Sequence, residues 1–134
     1  MTTAAIERSK PIGLKKETIV YWTSTGIISG IMLLSACYFC FSAEAKGAFA
    51  HLGFPDYFRV ELTVAKIMGG LAVLMPGVPK SVKDFAYFGI AITVASAIIA
   101  HAASGDGAAH VIDPLIVFGI LVVSYVYHRR RQPR

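Results

Sequence analysis

The sequence predicts an all-α fold, an antiparallel four-helix transmembrane bundle with both termini in the cytoplasm. Three observations lead there. Of the 134 residues 55% are hydrophobic, too apolar for a soluble domain of this size. The apolar residues collect in four segments, 19–41, 57–75, 85–103 and 111–128. A hydrocarbon core of about 30 Å takes about 20 helical residues, fewer where flanking side chains snorkel, so each segment has the length to span. Finally, the charges alternate with the segments. Arg8, Lys10, Lys15 and Lys16 precede the first, Lys80 and Lys83 lie between the second and third, and Arg129, Arg130, Arg131 and Arg134 follow the fourth. The two remaining loops hold only Lys46 and Arg59 as basic residues, which is the positive-inside asymmetry for an even number of spans.

Residues 1–18 read as a polar cytoplasmic arm, residues 19–128 as the membrane bundle and residues 129–134 as a basic cytoplasmic tail. A basic stretch, an apolar run and Ala43-Glu44-Ala45 mimic a secretory signal, but an h-region is about 7–15 residues and this run is longer. The first segment is expected to stay as a span. Tyr21 and Trp22 fall where an interfacial aromatic belt belongs. Gly26 and Gly30 form a GxxxG that would let another helix approach. Residues 42–55 form the first outer loop, whose Ala-rich start suits a short interfacial helix ending near Gly53, with Phe49, Leu52 and Phe54 dipping into the bilayer. Asp56 is the expected N-cap of the second span, and Pro76, Gly77 and Pro79 end it. The short link to the third span makes these two helices antiparallel neighbours. Residues 104–107 form a turn, and Asp113-Pro114 reads as cap and first helical position of the last span.

The net charge of +5 does not point to nucleic acid, because the basic residues are split among the inter-span segments instead of forming one patch. Ionisable groups inside a membrane are costly and are functional candidates by default. Lys66 lies near the middle of the second span, with Leu62, Thr63, Gly69 and Gly70 as helical neighbours. His101 lies at the outer end of the third, above a small-residue stripe of Ala97, Thr93 and Gly89. If the two helices pair along these stripes, Lys66 and His101 open on one outward-facing pocket, with Glu44, Glu61 and Asp106 at its rim. A cation and an imidazole there suit the polar head of an amphipathic ligand such as a quinone, with Asp106 orienting His101. The plainer role for Lys66 is a staple between helices. Cys37 and Cys40 form a CxxC at the C-terminal end of a span, the wrong end for a thiolate, and read as packing residues. The histidines His51, His101, His110 and His128 are scattered and imply no metal site.

Several blocks in order resemble the DoxX-like family: Leu52-Gly53-Phe54-Pro55-Asp56-Tyr57-Phe58, then Val64-Ala65-Lys66-Ile67-Met68-Gly69-Gly70, then Val82-Lys83-Asp84-Phe85-Ala86-Tyr87-Phe88-Gly89. The stretch from Ala97 to His101 with Gly105-Asp106, and the closing Ser124-Tyr125, continue the likeness. Phe54 and Asp84-Phe85 stand where the family usually has tyrosine and glutamate-tryptophan. The resemblance implies a four-helix membrane protein in which Lys66, His101 and Asp106 occupy recurring polar positions. It also implies a function like that of the small membrane subunits of a thiosulfate:quinone oxidoreductase, from which the family is named, or of a distant animal branch that chaperones nicotinic receptors.

The functional expectation is therefore a multi-pass protein of the cell inner (plasma) membrane whose subunit role is to bind a quinone-like or other amphipathic ligand in the outer half of the bundle. Such a chain is at most a membrane subunit of a quinone-linked oxidoreductase, because no self-contained catalytic or cofactor motif is present and the one cofactor implied is a quinone. Its expected partners are the lipid bilayer, a membrane or redox partner protein and a second copy of the chain, with no nucleic acid. The alternative is a non-catalytic, chaperone-like assembly partner acting through the GxxxG face. A small-molecule transporter ranks third, since four short helices leave little room for a path within one chain.

Overall fold

The computed structural model describes residues 12–132, and within them the chain is helical almost throughout. Helix α1 runs over Ile12–Phe41, α2 over Ala43–His51, α3 over Asp56–Leu74, α4 over Lys80–Ala103 and α5 over Ala108–Arg130. Helix α1 packs mainly against α3 and α5, α4 bridges α5 and α3, and the short α2 lies on α3 and the end of α1. Among the described residues three helices are long and apolar enough to cross a membrane: α1 from Lys15, α4 and α5. The 19 residues of α3 are long enough, but Asp56, Arg59, Glu61 and Lys66 make it too charged for that description.

Several element boundaries differ from those read off the sequence. The helical part of α1 begins at Ile12, inside the expected arm, and its 30 residues reach about 45 Å, well beyond a hydrocarbon core of about 30 Å. The expectations for Arg8, Lys10 and Arg134 lie outside the described residues. Pro55, not Asp56, holds the N-cap position of α3, and Asp56 turns instead to Arg59 in the first turn, with its Oδ1 2.9 Å from the guanidinium Nε. Helix α5 begins at Ala108, so Pro114 sits within it and Asp113 caps nothing. Proline lacks an N–H and fits the first turn best, yet the apolar run before it was too short to mark the earlier start. Ser42 caps α2 as its side chain accepts from the Ala45 N–H at 3.3 Å, and Gly53, at φ +84°, closes the turn after it as expected.

Packing follows the rules for helices in lipid, where lipid tails are as apolar as leucine and close approach at small residues replaces a hydrophobic drive. The core cluster is Ile28 and Met32 from α1, Val73 from α3, Tyr87, Ile90 and Val94 from α4, and Leu121 from α5. Two adjacent glycines set the α3 contacts. A Cβ on Gly69 would sit 3.3 Å from Ile90 of α4, and one on Gly70 would sit 3.2 Å from Met32 of α1. Among the described residues the expected contacts at Gly26, Gly30 and Gly89 are not made, since a Cβ at any of the three meets nothing within 4 Å. Tyr21 also departs from expectation: it is buried to 2% exposure, leaving Trp22 alone at the surface. Phe49 packs inward, edge-on against Phe39 at 4.9 Å between ring centroids, where lipid contact was expected.

Candidate functional site

Three polar clusters lie along the helices. At the end where α2 meets the α4–α5 turn, Gly105 takes φ +71°, a conformation that suits glycine, and presents the next residue, Asp106, to two elements. Its Oδ1 accepts from His51 Nε2 at 2.9 Å and its Oδ2 from His101 Nδ1 at 2.6 Å. The His101 ring in turn stacks on His110, with centroids 5.6 Å apart. Hydrogen bonds from His101 first and His51 second favour the ionised carboxylate, so Asp106 is held below the usual carboxylate range. This cluster ties α2, α4 and α5 together at one end. Among the described residues no group of three or more histidine, cysteine, aspartate or glutamate side chains has an arrangement suited to a metal ion.

The second cluster lies between α3 and α1. Lys66 and Gly70 are one turn apart and share the face of α3 that meets α1. From there Lys66 Nζ donates to Ser35 Oγ at 2.6 Å and stands 3.8 Å above the Phe39 ring. Arg59, nearer the start of α3, donates to the Phe39 carbonyl and pairs with Asp56. Thr63 donates to the Arg59 carbonyl at 2.8 Å. An ammonium has three N–H groups, and one of those on Lys66 meets a hydrogen-bond acceptor. Among the described residues no carboxylate pairs with it.

Of the five residues picked from sequence, His101 and Asp106 are bonded to each other, whereas Lys66 engages α1 and no contact joins it to His101. Lys66 shares the α1-facing side of α3 with Gly70, which packs on Met32, and its ammonium is taken up by Ser35 and Phe39 of α1, whereas the α4 contact of α3 is made at Gly69 against Ile90. Glu44 and Glu61 are exposed and, among the described residues, hold no hydrogen bond or ion pair.

Sequence reading missed the third cluster, at the end where the basic residues gather. Thr25 of α1, Tyr87 of α4 and Ser124 of α5 form a buried hydroxyl network, with Ser124 Oγ 2.7 Å from both Thr25 Oγ1 and Tyr87 Oη. Lys83, counted from sequence as a loop charge, is only 7% exposed; its Nζ donates to Tyr21 Oη at 3.3 Å and to the Val73 carbonyl at 3.4 Å. His128 Nε2 lies 3.1 Å from Asp84 Oδ1, and the imidazole stacks on Tyr21. A signal was present, since Lys83, Asp84, Tyr87 and Ser124 all fall in the blocks that carry the family resemblance. Beside this cluster, α4 and α5 enclose a groove of about 240 Å³ with Phe88, Phe118 and Val122 among its walls and Asp84 at one end.

The family model described as the DoxX-like family matches residues 23–124, more than half of the chain, and the chain belongs to that family. No curated protein and no solved structure matches it. The match spans Thr25, Lys66, Lys83, Tyr87, His101, Asp106 and Ser124, so all three clusters take residues from it.

Proposed function

We propose that this DoxX-like chain is a four-span protein of the cell inner membrane and binds the polar head of a quinone-like or other amphipathic ligand at Lys66. Helix α3 serves as the fourth span in this reading: its 19 residues reach about 28 Å. Arg59 and Asp56 neutralise each other near one end, and Lys66 faces another helix instead of lipid. Four spans bring both termini to the side of Lys15, Lys16, Lys80, Lys83 and Arg129, the positive-inside arrangement.

One observation carries the ligand assignment. Lys66 is half-buried about 15 Å along α3, beside an aromatic wall, and a single hydroxyl answers its ammonium. Charged groups taken out of water need partners, and a carbonyl or anionic oxygen supplied by a ligand completes this one. The Phe39 ring supplies an apolar face for the rest of the head. In this reading the His101–Asp106 pair braces the outer end without contacting the same atom as Lys66.

The test is mass spectrometry of organic extracts from protein purified in mild detergent, comparing wild type with Lys66→Met and Lys66→Arg. A quinone or isoprenoid enriched in wild type and reduced at least about tenfold in Lys66→Met supports the site. Equal extracts overturn it and leave Lys66 as a staple on Ser35.

A second reading, an assembly partner for another membrane protein, is favoured by one feature. Gly26 and Gly30 face away from the core with open space where a Cβ would stand, so that face is free to receive a helix. Crosslinking from Gly30→Cys in membranes, with no crosslinked product, removes this reading.

A further inference from the structure

Helices α1 and α5 meet along a groove that neither the Lys66 site nor the hydroxyl network uses. Within the bilayer its lining is Val20, Ser24 and Ile27 from α1 and Ile116, Gly119 and Val123 from α5, and it encloses about 410 Å³ of almost wholly apolar space. Toward the basic end the same two helices form a second hollow of about 430 Å³, lined by Glu17, Arg129, Arg130 and Gln132. The two hollows are aligned. On α5, Ile116, Gly119, Val123, Tyr127 and Arg130 recur every three or four residues and so form one stripe, as do Lys16, Val20, Ser24 and Ile27 on α1. The polar hollow therefore lies on the same face of both helices as the apolar one, toward the basic end, where it would serve as its mouth.

We infer that this groove is a binding site for an anionic phospholipid, its phosphate at Arg130 and an acyl chain along the Gly119 floor. Charge selects the occupant. Arg129 already reaches Asp84 at 3.9 Å, whereas the Arg130 guanidinium lies 5.3 Å from the Tyr127 ring and makes no ion pair among the described residues. Lys16, exposed one turn before Val20, adds a second cation near the mouth that makes no ion pair among the described residues, and Glu17 is the one acidic residue lining the mouth. Guanidinium forks match phosphate oxygens in geometry as well as charge, and basic pockets at the membrane-facing ends of helices are suited to anionic lipid heads. The apolar half selects for a chain. Gly119 leaves open space where a side chain would stand, with Ile27, Ile116 and Val123 as walls. A soluble anion would fill the mouth alone, and a zwitterionic lipid would fill the groove without matching the charge at its mouth. The proposal shares no residue with the Lys66 site and stands or falls separately from it.

Native mass spectrometry of the delipidated full-length protein, titrated with phosphatidylglycerol or phosphatidylcholine of the same acyl chains, tests it. Wild type is expected to retain phosphatidylglycerol at least about tenfold better. Arg130→Gln should reduce that preference about fivefold, the effect of one basic residue near a membrane surface. Gly119→Leu should reduce retention of both lipids by filling the floor. This variant is expected to fold, because nothing lies within 4 Å of the new Cβ and leucine is the better helix former; circular dichroism checks that it does. Equal retention of the two lipids by wild type overturns the proposal. So does a loss with Arg130→Gln that Gly119→Leu does not share, which would confine the lipid to surface charge. A change of oligomeric state in Gly119→Leu without a change in lipid retention would put a second copy in the groove instead, and equally overturns it.

Discussion

Replacing Tyr87 by phenylalanine removes one oxygen from one end of the buried hydroxyl network and little else. Tyr87 is 3% exposed, and its Oη lies 2.7 Å from Ser124 Oγ and 3.4 Å from Thr25 Oγ1. After the change Ser124 and Thr25 still bond each other at 2.7 Å, so no hydroxyl is stranded. The ring stays, so packing against Tyr125 and His128 is kept. The cost is one short hydrogen bond between helices, which in membrane proteins averages about 0.6 kcal/mol and reaches about 1.7. Ser124→Ala cuts deeper, since Ser124 is the only member within 3 Å of both others, and the remaining Thr25–Tyr87 pair is left at 3.4 Å. A loss of about 1–2 kcal/mol is expected there, with part of it shared with Tyr87→Phe. Reversible unfolding in mixed micelles of increasing sodium dodecyl sulfate measures both variants and the double mutant. Strictly additive losses, or Tyr87→Phe costing as much as Ser124→Ala, would refute the network as drawn.

Gly70→Val places a side chain against Met32 and the Ser29 carbonyl and should destabilise by about 1–3 kcal/mol, whereas Gly26→Ala, in open space within a helix, should be neutral or stabilise by up to about 1 kcal/mol. The same unfolding assay separates them. Asp106 gives a pH dependence whose sign follows from its lowered pKa. Its contribution to stability is fully present above the ordinary aspartate value of about 3.9 and is lost as pH falls through the depressed one. Thermal midpoints of wild type and Asp106→Asn should therefore differ at neutral pH and converge in acid; a constant gap would separate Asp106 ionisation from the α2 tether. Ser35→Ala removes the one hydrogen-bond acceptor that Lys66 has among the described residues, and should cost more stability in wild type than in a Lys66→Met background. Equal costs in the two backgrounds would show that the pair is not coupled.

How much of this was legible in the sequence depends on which physical signal each feature leaves. Length and apolarity located the long helices, because a membrane demands both. Cap positions were less readable. Asp56 and Asp113 are good capping residue types, yet the chain uses Pro55 and Gly107 at those helix starts. The inward faces were hardest to read. For a soluble helix, the contrast between apolar and polar residues marks the buried side. In α1, exposed Ile27 and Leu34 and buried Ile28 and Met32 are chemically alike, so periodicity cannot tell lipid from core. The glycines were hard to read for a related reason: a small residue invites close approach wherever it lies, and only the fold decides that Gly69 and Gly70 are used within the bundle while Gly26 and Gly30 are left open among the described residues. Lys66 and His101 stood out as costly residues in lipid, but pairing them required knowing which face of α3 meets α4.

The buried faces nonetheless have a logic that the expected four-span reading uses. On α4, Lys83, Tyr87, Ile90 and Val94 turn inward while Phe85, Phe88, Ile92 and Ile99 turn outward, so polar groups are concentrated inside. On α1 the inward residues include Ser24, Thr25 and Ser29. Polar atoms placed there can find partners on another helix, which hydrocarbon cannot supply. The interior is not polar from end to end, however. Ile28, Met32, Val73 and Ile90 pack between the hydroxyl network and the Lys66 cluster, and the Ser29 hydroxyl near this layer is buried without a hydrogen-bond partner among the described residues. A polar solute crossing a single copy would have to part that packing, at a cost that binding at Lys66 does not incur. The arrangement therefore weighs against conduction through the middle of a single chain, and the ligand-holding role proposed for Lys66 does not require it. The two readings separate in proteoliposomes, where a Met32→Ala variant that loosens the layer should leave ligand retention at Lys66 unchanged but would accelerate any flux through a single chain.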